Sequence, residues 1–83
     1  MRAHVFTTTA DRDPYLLRVG LRIRAQRVLR QVSQDDLAKR SGVSRVTLGS
    51  IERADHAASI TTYVALADGL GIDVGDLLTK RPD

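Results

Sequence analysis

The side chains in this sequence that are able to do chemistry are histidines, hydroxyls with scattered acids, and a large set of arginines. His4 and His56 are far apart, there is no cysteine, and neither histidine has a metal-ligand spacing, so no metal or cofactor is expected. Serine, aspartate and histidine all occur, but no nucleophile motif surrounds any serine. No catalytic residue is therefore assigned and no enzyme is expected. What remains is charge and hydrogen bonding. Met1–Arg53 carries 11 Arg and Lys against 5 Asp and Glu, whereas Ala54–Asp83 carries 2 against 5. A basic region beside an acidic one is what a face meeting a polyanion would show, and a solvated basic helix would show it too. Glu52 is the only glutamate in the chain and directly follows the apolar Ile51.

The densest pattern runs from Gln34 to Arg53, Gln-Asp-Asp-Leu-Ala-Lys-Arg-Ser-Gly-Val-Ser-Arg-Val-Thr-Leu-Gly-Ser-Ile-Glu-Arg. Ala38 is small where a second helix must cross closely. Gly42 follows four residues later at a tight turn, with Val43, Leu48 and Ile51 beyond it. That spacing describes two short helices at a helix-turn-helix. Its second helix has one face packed and one face free, sized for the major groove. Arg45 opens that free face, and arginine is the usual two-toothed partner of guanine.

The rest of the sequence supplies the support. Asp13-Pro14 is a helix entry, with the acid as cap and proline at the first helical position. The helix it opens runs toward Gln31 with two apolar stripes. One is Leu16, Val19, Ile23 and the stem of Arg27; the other is Leu17, Leu21, Ala25 and Val28. Two stripes imply cover from two sides, by His4–Thr7 or by a second subunit. Ser33 caps the next helix, with Asp35 and Asp36 at its positive end, Lys39 and Arg40 at its negative end, and Gly42 to stop it. Ser44 caps a third helix ending near Arg53. Ser59 caps a fourth, with Ile60, Tyr63, Leu66, Ala67 and Leu70 inward and Gly71 at its end. Asp73 caps a last turn carrying Val74, Leu77 and Leu78. His4–Thr9 is the only strand-prone stretch. Eighty-three residues, 42% of them apolar, suit one small all-α domain. The expected division is an extension over 1–13, a domain over 14–79 and a tail over 80–83. No apolar run reaches membrane-span length and no signal peptide is visible, so a soluble cytoplasmic protein without a membrane partner is expected.

In this order and spacing the chain resembles the lambda-repressor/Cro-like (XRE-type) helix-turn-helix domains of bacterial and phage regulators. The resemblance runs through Gly20-Leu-Arg-Ile-Arg24, Arg27, Val32-Ser-Gln34, Leu37-Ala38, Gly42-Val-Ser44, Ile51-Glu52-Arg53, Ser59-Ile60-Thr-Thr62, Leu66-Ala67, Leu70-Gly71-Ile72-Asp73 and Asp76-Leu77-Leu78. It implies a compact five-helix fold. It also implies that Arg45, Val46, Gly49 and Ser50 face bases, that Gln34 and Ser44 hold phosphate, and that Arg27 and Glu52 form a buried ion pair. Arg53 and His56, near the following loop, join the phosphate set. Each has a plainer alternative: a solvated arginine, a core valine, helix caps. Arg22 and Arg24 read as a solvated face.

The implied function is a sequence-specific regulator of double-stranded DNA, a homodimeric repressor or autoregulator on an inverted repeat, with no small-molecule ligand. A phage repressor, a restriction–modification controller and a self-repressing antitoxin all fit. The rival class is an adaptor or antitoxin that uses the fold to bind a protein such as a toxin. Two features depart from the pattern. Ala54-Asp55 replaces the usual glycine after the glutamate, and Gly49 puts no side chain in the middle of the recognition helix, at a cost of about 1 kcal/mol relative to alanine.

Overall fold

Short polar side chains open nearly every helix. In a computed structural model that describes residues 12–78, Asp13 accepts from the backbone N–H of Tyr15 and Leu16 and opens α1, Pro14–Leu29. Ser33 accepts from Asp36 N–H at 3.0 Å and opens α2, Gln34–Ser41. Ser44 does the same for Thr47 and α3, Arg45–Glu52. Ser59 does it for Thr62 and α4, Ile60–Leu70. Each such cap satisfies a backbone donor that the helix leaves unpaired, worth about 1 kcal/mol. Asp73 precedes α5, Val74–Leu77, but its side chain makes no capping bond, unlike the cap expected of it. Gly42 and Gly71 stop α2 and α4 in the left-handed region, at φ 73° and 76°.

Among the described residues there are helices and no strands, as expected for an all-α chain. Helix α1 packs on α3, α4 and α5; α2 packs on α3 and α4; and α5 packs on α4. Val19, Ile23, Leu37, Leu48, Leu66 and Leu77 are fully buried at their junction. The two tyrosines spend their hydroxyls on backbone. Tyr15 donates to the Leu78 carbonyl at 2.6 Å, tying the start of α1 to the end of α5, and Tyr63 accepts from Ala58 N–H. Arg22, expected to be solvated, reaches the Leu77 carbonyl at 3.4 Å and adds to that tie. No helix among the described residues is long and apolar enough to cross a membrane.

Three expectations need correction. Helix α1 ends at Leu29, and Gln31 takes a left-handed φ of 57° to turn the chain into Val32. Ile60, expected inward, is 60% exposed because it starts α4 on the same outer side as Val64, a turn further on. The second apolar stripe of α1 stays open. Leu21, Ala25 and Val28 are exposed because α3, α4 and α5 all lie on the Val19–Ile23 side. The His4–Thr7 segment expected to cover them lies outside the described residues.

Helices α1 and α3 approach so closely that only glycine fits. A Cβ on Gly20 would stand 2.5 Å from the Glu52 carbonyl oxygen and 2.7 Å from that of Ile51. Backbone cannot yield as a flexible side chain does. Gly20→Ala is therefore expected to cost about 3 kcal/mol, despite alanine's better helix propensity. Gly75→Ala in α5, where a Cβ meets nothing within 4 Å, should be neutral or slightly stabilising. Thermal melting of the two variants side by side checks this. Equal melting temperatures would mean that the α1–α3 crossing opens at no cost.

Candidate nucleic-acid interface

Gly42 turns the chain between α2 and α3 so that the apolar side of α3, Leu48 and Ile51, enters the core. The start of α3 then points away from the domain. Val46 is 80% exposed, and Ser44, Arg45 and Thr47 are exposed around it. Ser44 is doubly engaged, accepting from Thr47 N–H and donating to Thr47 Oγ1 at 2.8 Å. Thr47 was not singled out in the sequence, although its place three residues after the cap puts it beside Ser44. Arg45 Nε lies 3.0 Å from Asp35 Oδ1 across the turn.

The other two residues of the expected base-facing set are recessed. Gly49 is buried, and a Cβ there would stand 3.0 Å from Arg53 Nη1 and 4.0 Å from Gln34 Nε2. The glycine thus leaves room for an arginine head, which is a physical reason for a helix-weakening residue at this point. Ser50 is only 8% exposed, and its hydroxyl is 3.2 Å from His56 Nδ1. Its small side chain ends under the loop instead of reaching past it. The structure therefore brings Arg45 and Val46 to the surface together and sets Gly49 and Ser50 behind them.

Glu52 holds the parts in register. Its carboxylate accepts from Arg27 Nε at 2.8 Å and from Arg27 Nη2 and Gln34 Nε2 at 3.1 Å each. Arg27 Nη1 donates to the Val32 carbonyl at 3.1 Å. The two side chains are 13% and 5% exposed. One carboxylate thereby joins α1, the entrance of α2 and the end of α3. Gln34 spends one amide N–H on this network and has one more to give. Arg24, read from sequence as a solvated residue, lines the same shallow cleft as Gln34, Glu52 and Arg53. Its position one helical turn before Arg27 is the signal that would have placed it there.

Ala54 takes the left-handed turn after α3 without a glycine, at φ 61°, and its methyl is buried. Asp55 then sits between two arginines. Arg12 binds it from the foot of α1, and Arg53 contacts it through Nε and Nη2, each at 3.2 Å. The Arg12 hydrogen bond, and behind it Arg53, hold the Asp55 carboxyl below its ordinary 3.8 against the opposing effect of burial. Among the described residues, no group of His, Asp and Glu side chains is arranged to hold a metal ion.

The model of a helix-turn-helix family, HTH_3, matches residues 23–77. The control protein C.SmaI of Serratia marcescens is 36% identical over 59 residues, 71% of this chain and 70% of that protein. The crystal structure of the restriction-modification controller protein C.AhdI from Aeromonas hydrophila superposes with a TM-score of 0.73 at 34% identity, over 75% of this chain and 94% of the other. SinR, a master regulator for biofilm formation solved in complex with DNA, superposes with a TM-score of 0.69 at 33% identity, over 72% and 97%.

Two measurements follow. Glu52→Ala strands Arg27 in a nearly closed site and should cost on the order of 3 kcal/mol, as should Arg27→Ala. Near-wild-type melting of both variants would show that the pair carries no stability. The Asp55 tie has a definite pH sign. A lowered folded value favours the charged form, so its contribution is full above the unfolded 3.8 and disappears as pH falls through the lower folded value. The melting temperatures of wild type and Asp55→Asn should differ near neutral pH and converge in acid, once the pH has fallen below the lowered folded value. A gap that persists in strong acid would assign the effect to something other than the charge.

Proposed function

The chain belongs to the HTH_3 helix-turn-helix family, and from that premise we propose that it is a sequence-specific regulator that reads double-stranded DNA with α3. One observation carries this reading. A helix of eight residues has Leu48 and Ile51 locked in the core while Arg45 and Val46 project from its start. In this reading Arg45 binds guanine and Val46 meets a thymine methyl. Gly49 and Ser50 form the recessed part of the reading surface, where bases meet backbone and a hydroxyl that His56 must release. Gln34, Ser44, Arg53 and His56 hold phosphates, and the shared cleft adds Arg24 to that set.

One such domain spans only a half-site, so useful specificity calls for two copies on an inverted repeat. Ile60 and Val64, exposed one turn apart on α4, supply apolar surface for a homodimer. The genetic role is that of a repressor or autoregulator. A second reading, a protein partner such as a toxin, is favoured by the exposed Leu21, Val28 and Leu29 on α1. Such binding would depend little on salt, whereas DNA binding falls steeply with it.

The test is selection of duplexes from a random pool, followed by affinity measurement on the recovered site and on a scrambled duplex. An inverted repeat is expected. Arg45→Ala should weaken binding to the selected site by about 1–3 kcal/mol and relax one base pair per half-site. An equal loss on both duplexes would make Arg45 a phosphate contact, and failure to recover any duplex would leave the protein-partner reading.

A further inference from the structure

Arg45 faces an acid before any DNA arrives. Asp35, in the first turn of α2, places Oδ1 3.0 Å from Arg45 Nε, with both side chains about two-thirds exposed. Among the described residues this is the one charged contact recorded for Arg45. Stability is a poor reason for it, since an exposed pair contributes little to folding. The chemistry of the contact suggests a better one. The carboxylate lies beside Nε without making a hydrogen bond to it, so the donors of the Nη1–Nη2 end are left to meet two further acceptors. Guanine presents two neutral acceptors, O6 and N7, in the major groove. Arg45 can bind them with Asp35 still in place. A phosphate in the same position is a second anion. It must either displace the Asp35 carboxylate or sit beside it, and both choices give back much of the attraction.

We propose that Asp35 is a specificity-determining residue. Its charge leaves the fork of Arg45 free for a guanine and makes the same arginine a poor phosphate binder. The proposal rests on the DNA-reading assignment of α3 and deepens it.

The test uses the full chain and the same two duplexes: the site that the wild type selects from a random pool, and a scrambled duplex of equal length and composition. Asp35→Asn keeps the shape and removes the charge. It should raise affinity for the scrambled duplex several-fold without raising affinity for the selected site, so that the ratio falls several-fold. Reselection with Asp35→Asn should relax the same base pair that Arg45→Ala relaxes, and Asp35→Glu should restore part of the preference. In an Arg45→Ala background Asp35→Asn should leave the ratio unchanged. Both residues are exposed, so melting temperatures stay near wild type and folding does not confuse the result. A ratio that Asp35→Asn leaves intact, or changes equally with and without Arg45, overturns the proposal and reduces Asp35 to a general surface charge. A wild-type protein that selects no duplex overturns the DNA-reading assignment itself, and this proposal with it.

Discussion

The arrangement depends on one carboxylate that has left water. Glu52 can be nearly buried only because Arg27 offers it two donors and Gln34 a third, and Arg27 in turn has the Val32 carbonyl for its remaining face. A buried charge with a missing partner is expensive, so each of these groups constrains the others. The constraint is geometric as well as energetic. For Arg27 on α1 to reach the end of α3 with this alignment, the two helix backbones must nearly touch, and Gly20 is where they do. The ion pair thus dictates a glycine in the middle of a long helix, seven residues before the arginine it serves.

The same carboxylate decides what α3 can present. With Ile51 in the core and Glu52 pinned behind it, the helix cannot rotate, and its first turn is forced outward. Eight residues then have to serve two sides. The inner side takes Leu48 and Ile51, the outer side Arg45, Val46 and Thr47. Gly49 and Ser50 are left between them under Arg53 and His56. Small residues are the physical answer there, because any larger side chain would displace the arginine head or the loop.

Much of this was legible in the sequence because the relevant signals are local. A serine or aspartate before an apolar-periodic run, and a glycine after it, mark a helix end through backbone hydrogen bonding alone, and the caps at Asp13, Ser33, Ser44 and Ser59 are where those residues put them. A lone glutamate after a core isoleucine and an arginine on the inner stripe of α1 agree with the pair that the family resemblance implies. What was not legible depends on the third dimension. Periodicity puts Ile60 and Tyr63 on one side of α4, but the position of that helix on α2 and α5 decides that Ile60 stays in water. The same limit applies to Leu21 and Val28, which share a helix face without sharing a neighbour. The place of Ser50 in the helix is legible, but the loop that closes over it is set by Ala54 in a left-handed conformation that its residue type does not announce.

Charge at this surface is arranged so as not to accumulate. The first two thirds of the chain are strongly basic in sum, yet the arginines nearest α3 are largely answered: Arg27 by Glu52, Arg45 by Asp35, and both Arg12 and Arg53 by Asp55. Bulk attraction to a polyanion scales with cations that are left unanswered, and it is indifferent to sequence. Pairing each arginine lowers that indifferent part. Where the acid also accepts a hydrogen bond, as Glu52 does from Arg27 and Asp55 from Arg12 and Arg53, it fixes where the guanidinium points. Arg45, neutralised by Asp35 without a hydrogen bond, gains most from a partner that can be bound without giving up the acid, which means a neutral acceptor pair of the right spacing.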